Sequence, residues 1–307
     1  MGDNLKIEQN LEFEGSSPPG SKIVLRNDIC DRLENIVKDL KVIKHCIGCE
    51  GLDLNNKDPH HHPTIELTQE CNHDCIFCYS KLTNVKPGIY GDLSKYRAVT
   101  ISQYGEPLLY AEKVKKAIKY VKSLGLRCDL QTNGVNLNED LLKEFKELGL
   151  DLIMISLSAS KPETHEKLTG SDTFDKVLEN IKLSSKYFHT IVRSIYIPNF
   201  NEEELINLGK ILNDFGVKEM MIHQLVVHEK NLENLKNIGN LEKTGRIKDL
   251  LLLVDEIKKN APNMNVTIKG CLLVYLKNMD GFILNSITSD CFSDIPIIKR
   301  EYHPLKF

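Results

Sequence analysis

Thr64-Ile65-Glu66-Leu67-Thr68-Gln69-Glu70-Cys71-Asn72-His73-Asp74-Cys75-Ile76-Phe77-Cys78 joins a strand-like run to three cysteines at C-x₃-C-x₂-C spacing. Three thiolates on one short loop can converge on a soft metal centre, and thiolate is the ligand that iron–sulfur clusters take. A complete [4Fe–4S] site usually has four cysteines, so three leave one iron open to a ligand that is not protein. Two blander readings stand beside this one. The cysteines could hold zinc with His73 or His62 as a further ligand, or carry a cluster that only transfers electrons.

Around this stretch the chain alternates. Strand-like runs fall at 64–68, 97–102, 126–131, 151–157, 190–197 and 219–225. Between them lie helical stripes such as Val114, Ala117, Ile118 and Val121, or Leu205, Leu208, Ile211 and Leu212. Gly125, Gly149 and Gly216 follow three of these stripes, as left-handed helix ends require. The alternation predicts an α/β fold with a parallel sheet, whose ligand sites lie at the carboxyl ends of the strands. Upstream, residues to about 22 are polar and turn-rich, and Ile29, Leu33, Ile36, Val37, Leu40 and Ile43 predict a helix from Asn27 to about Cys46. Downstream, Ile247, Leu250, Leu251, Val254 and Ile257 predict a helix, and Asn265-Val266-Thr267-Ile268-Lys269 a strand.

Short motifs follow the strands where chemistry belongs. After the second comes Ser102-Gln103-Tyr104-Gly105-Glu106-Pro107, in which Gly105 permits close backbone approach, Glu106 can accept from an ammonium and Pro107 stiffens the turn. After the third comes Gln131-Thr132-Asn133-Gly134, and after the fourth Ser156-Leu157-Ser158, then Pro162-Glu163-Thr164-His165. Each also reads as an ordinary turn or helix start. His165 is expected on the exposed side of its helix and without a catalytic role.

Taken together, Cys71, Cys75 and Cys78 with Phe77 before the third cysteine, and Gly105-Glu106-Pro107 after the next strand, resemble the radical S-adenosylmethionine (radical SAM) superfamily. The resemblance implies a partial (βα)₆ TIM-type barrel over residues 62–226. Residues 1–61 would form an N-terminal helical extension ending in a C-x₂-C pair, and 227–307 a short C-terminal extension of helix, strand and cysteine-containing tail. It implies a [4Fe–4S] cluster on the three cysteines and S-adenosylmethionine on the open iron. Reductive cleavage then gives a 5′-deoxyadenosyl radical that takes hydrogen from a substrate.

By the same resemblance Gly105, Glu106 and Pro107 hold the cofactor's amino group, although Tyr104 replaces a glycine and could narrow the site. Thr132 and Ser156 contact its carboxylate or ribose, although Ser158 stands where an aspartate is usual. The backbone about Phe77 and Tyr79 reads the adenine. Arg193 and Gln224, by strand alternation, point inward. The motifs are most similar to the molybdenum-cofactor and peptide-modifying branch, which implies a peptide side chain or a small heterocycle as substrate. An RNA-modifying enzyme, hinted at by Lys113, Lys115, Lys116, Lys119 and Lys122, and a non-catalytic iron–sulfur scaffold are the alternatives. An external one-electron donor of ferredoxin or flavodoxin type is required.

Composition sets the wider bounds. With 41% hydrophobic and 27% charged residues, the 307-residue chain reads as a globular protein. No apolar run approaches the ~18 residues of a membrane span, and the start is polar, so no membrane role and a cytoplasmic location are expected. A net charge of −3 offers no broad attraction to nucleic acid. Nine cysteines fit ligands and free thiols better than disulfides in that compartment. Cys30 and Cys128 read as packing residues. Cys46, Cys49, Cys271 and Cys291 could together hold a second [4Fe–4S] cluster or a zinc ion.

Overall fold

The computed structural model describes residues 22–25, 41–43, 63–82, 84–225, 229–236, 238, 247–269, 292–295 and 301–307. Its strands are β1 (Lys22–Leu25), β2 (Lys41–Ile43), β3 (Thr64–Glu66), β4 (Gly88–Tyr90), β5 (Ala98–Ile101), β6 (Arg127–Thr132), β7 (Leu152–Ser156), β8 (His189–Tyr196), β9 (Glu219–Gln224), β10 (Asn265–Lys269), β11 (Phe292–Ile295) and β12 (Tyr302–His303). β1 and β11 form a separate antiparallel ribbon. The other ten make one sheet, ordered β12-β4-β3-β5-β6-β7-β8-β9-β10-β2.

All six expected strands are present as β3 and β5 to β9, and each pairs in parallel with the next. Helices α1 (Ala111–Ser123), α2 (Glu139–Glu147), α3 (Pro162–Thr169), α4 (Phe174–Tyr187) and α5 (Glu202–Asp214) lie between them, followed by α6 (Glu229–Lys236) and α7 (Ile247–Asn260). The predicted stripe of α1 is the buried one: Val114, Ala117, Ile118 and Val121 are all fully covered. Burying each of the three larger side chains contributes ~1.5–3 kcal/mol. They belong to one core cluster with the outward residues of the strands, Val99, Ile101, Ile153, Ile155, Val192, Met220 and Ile222 among them.

The strands' inner faces divide in two. Low in the barrel, Met154, Ile191 and Met221 pack as an apolar layer with Leu152 against it. One residue pair further along each strand, Gln131, Ser156, Arg193 and His223 line a cavity. The period of two places polar groups at the strand ends, above this apolar layer.

The sheet is a partial barrel that does not close, and it runs past six strands on both sides. Beyond β9 come β10 and then β2, both parallel. Beyond β3 come antiparallel β4 and β12. β10 was expected, but Lys41–Ile43 was expected as the last turn of a helix. The rest of that helix, 26–40, lies outside the described residues. Val42 and Ile43 are β-branched, and an open sheet edge at β10 gives them ladder partners that local periodicity cannot reveal.

Candidate active site

The three-cysteine loop is clamped by helix α3. Asp74 N–H donates to Thr169 O at 2.7 Å and Ile76 N–H to Leu168 O at 3.1 Å. His73 Nε2 and His165 Nε2 both bond the Thr173 hydroxyl, at 2.9 and 3.0 Å, and their rings meet edge to face at 5.5 Å. His165, expected on the surface, is therefore buried at 2% exposure, because α3 turns this face onto the loop. Burial, and then the neighbouring His165, push the His73 imidazole down to about 4. Its Nε2 is engaged by the Thr173 hydroxyl; His62 lies outside the described residues.

The three thiols line one cavity. Burial and then Cys78 and Cys71 push the Cys75 thiol up to about 12, while burial raises that of Cys71, with Glu106 and Cys78 adding to the effect. Cys71 and Cys75, whose thiolates burial disfavours, are suited to a cationic centre, since a coordinated thiol is deprotonated outright. Asn133 Nδ2, 3.9 Å from Cys71 Sγ, and the His73 backbone N–H at 3.4 Å supply donors to one of them. This donor set fits an iron–sulfur cluster. Cys128, by contrast, is fully buried in the core as a packing residue.

Across the cavity, the loop after β5 passes close to the strand that leads to the cysteines. Gly105 has φ 70°, and a Cβ there would come within 2.6 Å of Thr68 O and 2.7 Å of Glu70 O, so only glycine fits. Glu106, 1% exposed, accepts from Leu108 N–H at 2.9 Å, from the Thr132 hydroxyl at 2.7 Å and from Asn133 N–H at 2.6 Å. Burial pushes its carboxyl up to about 7 against these three bonds. Pro107 is buried at the start of a short 3₁₀ turn that Glu106 caps. Tyr104, expected to narrow the site, packs instead with Val85 and Tyr90 and does not line the cavity.

The remaining predicted residues divide. Phe77, Thr132 and Ser156 line the cavity, Ser156 exposed at the end of β7. Ser158 Oγ accepts from Ile195 N–H at 2.9 Å, so it serves the join of β7 to β8. Arg193 lines the cavity; its Nη1 donates to Gln131 Oε1 and its Nε to His223 Nε2 at 3.3 Å. The side chains of Tyr79 and Gln224 lie outside the described residues, as do Cys30, Cys46, Cys49, Cys271 and Cys291. Sequence reasoning missed Gln131 and the His73–Thr173–His165 contact. Of the neighbours His223 and Gln224 at the end of β9 it turned Gln224 inward, whereas among the described side chains it is His223 that lines the cavity. Gln131 was within reach, since Asp129 and Gln131 share a face of β6, whereas the histidine contact joins segments 100 residues apart.

The cavity is about 460 Å³, within the usual range for a cofactor or drug-sized ligand. A partial barrel with three thiols lining a polar pocket at its strand ends carries the donor types for an iron–sulfur centre beside a small polar cofactor. The chain belongs to the radical SAM superfamily, whose family description matches residues 89–212. It is 64% identical over 284 residues to the uncharacterized protein MJ0804 of Methanocaldococcus jannaschii, covering 92% of this chain and 99% of that one. It is 33% identical over 189 residues to a probable GTP 3′,8-cyclase of Saccharolobus islandicus, covering 56% of this chain and 58% of the cyclase. Among solved structures, SuiB of Streptococcus suis bound to S-adenosylmethionine has the same fold, with a TM-score of 0.52 at 15% identity over 71% of this chain and 49% of SuiB.

The protein is thus a radical SAM enzyme that uses a [4Fe–4S] cluster and S-adenosylmethionine. Such an enzyme needs an electron donor. Among the described residues no helix is long and apolar enough to cross a membrane.

Proposed function

We propose that this enzyme removes a hydrogen atom from a small heterocycle or a peptide side chain that carries an anionic group. The observation behind the anionic group is Arg193. Its guanidinium lines the cavity and is steered by two neutral acceptors, Gln131 and His223, with no carboxylate bonded to it among the described residues. A partly buried cation without a counter-ion favours a ligand that brings one. The choice of substrate classes is supported by the partial similarity to GTP 3′,8-cyclases and by the fold shared with SuiB, which has been solved with its precursor peptide SuiA.

In this reading Cys71, Cys75 and Cys78 each hold one iron. Gly105, Glu106 and Pro107 place the acceptors for the cofactor's amino group, Thr132 and Ser156 make secondary contacts, and the backbone about Phe77 and Tyr79 borders the adenine. The bound cluster and S-adenosylmethionine supply one-electron cleavage of a carbon–sulfur bond and a hydrogen-abstracting radical. The protein orients the substrate over them, with the apolar layer of Met154, Ile191 and Met221 beneath. Electrons come from a ferredoxin- or flavodoxin-type donor, in keeping with a cytoplasmic setting.

An RNA substrate is less well supported, because the basic face of α1 is engaged at the surface. Lys115 pairs with Glu112 at 2.7 Å and with Glu144, Lys122 with Asp151 at 2.7 Å, and Lys113 lies over the Tyr110 ring. A second metal site on Cys46, Cys49, Cys271 and Cys291 gains support from strand register. Ile43 and Lys269 are partners in the β2–β10 pair, and Cys46 and Cys271 follow them by three and two residues. Iron and zinc analysis of a Cys46→Ala/Cys49→Ala variant decides it, since unchanged metal content would exclude such a site.

The main reading is tested by anaerobic reconstitution, reduction and mass-spectrometric measurement of 5′-deoxyadenosine. Wild type is expected to form it and Cys75→Ala to form none. Wild type with a full cluster and no spectroscopic change on adding S-adenosylmethionine would instead make the protein a scaffold or carrier.

A further inference from the structure

Glu66 is the last residue of β3, 1% exposed, and does not line the cavity. Its carboxylate nevertheless reaches the loop that carries Gly105 and Glu106. Oε1 and Oε2 accept from Gln103 N–H at 3.1 and 3.0 Å, and Oε2 accepts also from Tyr104 N–H at 3.1 Å. Two successive backbone N–H groups converging on one anion form a nest, a geometry that holds a turn only while the anion is present.

The turn needs holding. Ser102 sits at φ 61°, in the left-handed region that a residue with a side chain occupies only when its surroundings over-determine it. Those surroundings come from one strand and its continuation. Ser102 N–H donates to Ile65 O at 2.8 Å, Gln103 and Tyr104 donate to Glu66, and Glu106 N–H donates to Glu70 O at 2.7 Å. The Ser102 hydroxyl closes the turn from within on Tyr104 O at 2.7 Å. Residue 71, the first thiol, follows Glu70 directly. The segment 65–70 is therefore a ruler between the cysteine loop and the Gly105–Glu106 backbone, and Glu66 is its only side-chain carboxylate bonded to that turn among the described contacts.

We propose that Glu66 is a positioning residue that sets the Gly105–Glu106 acceptors at the right distance from the three-cysteine loop, and so governs affinity for S-adenosylmethionine without holding iron. This rests on the assignment of Gly105 and Glu106 to the cofactor's amino group. Glu66→Gln is the informative change: both oxygens now face N–H donors, so an amide must turn its NH₂ toward one of them and lose that bond.

The test uses the reconstituted full-length protein and its Glu66→Gln, Ser102→Gly and Glu106→Gln variants. The readouts are equilibrium binding of S-adenosylmethionine, iron per chain, thermal unfolding and the kinetics of 5′-deoxyadenosine formation. Glu66→Gln is expected to raise Kd and KM ~10-fold, about 1.4 kcal/mol, with kcat within twofold and iron unchanged. Ser102→Gly keeps the backbone but loses the bond to Tyr104 O, and should weaken binding in the same direction by a smaller factor; it carries the test if Glu66→Gln does not fold.

A Glu66→Gln protein with full iron and Kd within twofold of wild type overturns the proposal. So does a loss of affinity that only tracks loss of iron, which would make Glu66 a general structural residue. If Glu106→Gln binds as tightly as wild type, the amino-group assignment fails, whatever Glu66 does, and the proposal falls with it.

Discussion

The Thr132 hydroxyl donates to Glu106 Oε1 at 2.7 Å, so one buried carboxylate ties the loop after β5 to the loop after β6. Thr132, expected to face the cofactor, spends its hydroxyl proton inside the protein. Thr132→Val removes a bond to a buried acid group and should lower folding stability by ~1.5–3 kcal/mol. Urea unfolding of the two proteins at neutral pH measures this, and equal midpoints would remove Thr132 from the join.

If Glu106 accepts the cofactor's ammonium as proposed, cofactor binding should depend on pH. Its carboxyl, raised by burial to about 7, becomes the anion that attracts an ammonium only as pH rises through that value. Affinity for S-adenosylmethionine should therefore be higher at pH 8 than at pH 6, and Glu106→Gln should flatten this trend. Stability runs the other way. A carboxyl raised on folding contributes fully below its unfolded pKa, and the contribution is lost as pH rises through the folded one; its ceiling is ~3 kcal/mol. Binding titrations and unfolding midpoints at the two pH values check both signs.

Gly105→Ala should abolish cofactor binding. The new methyl group would meet Thr68 O and Glu70 O at under 3 Å, and φ 70° would strain the backbone by ~1 kcal/mol or more even without those contacts. The loop must move away from the segment leading to Cys71. Iron uptake should be affected less than binding, because none of the three thiols sits on that loop, so measuring iron and binding in the same sample separates the two.

Thr173→Val removes the hydroxyl that His73 and His165 share. The cluster loop loses a side-chain tether while its two backbone bonds to α3 remain. Release of iron to a chelator should quicken several-fold, on the scale of one lost bond of ~1 kcal/mol. An unchanged release rate would show that the backbone bonds suffice.

Arg193→Gln should leave cleavage of S-adenosylmethionine in the absence of substrate largely intact and lower substrate-dependent turnover ~10-fold or more, as expected for one lost charged hydrogen bond. Arg193→Lys should restore part of it. Loss of cofactor binding in the glutamine variant would move the anion site from substrate to cofactor.

Much of this was readable along the chain because it is local. The six parallel strands, the helix faces, the three-cysteine spacing and Gly105 each follow from periodicity, turn chemistry or ligand type within a few residues. What escaped depends on segments far apart in sequence. His165 was read as exposed because helical histidines usually are, and nothing near it in sequence announces that His73 will lie against it. Tyr104 looked like an obstruction because the pocket of Val85 and Tyr90 that receives its ring is assembled from separate turns. Lys41–Ile43 carried a helical period, and only an open edge beside β10 made a strand the better partner.

By itself the sequence determined the class of chemistry: three thiols on a loop after a strand, and a glycine–glutamate turn after the next, since ligand identity and spacing are properties of the chain. Tertiary structure alone decided how those pieces work together. It set Glu66 and Glu106 as the carboxylates that join neighbouring loops, Arg193 as a cation lining the cavity with no carboxylate bonded to it among the described residues, and α3 as the clamp on the cysteine loop. Charges and hydrogen bonds act over a few ångströms, and which residues come that close is settled only when the sheet brings the strand ends side by side.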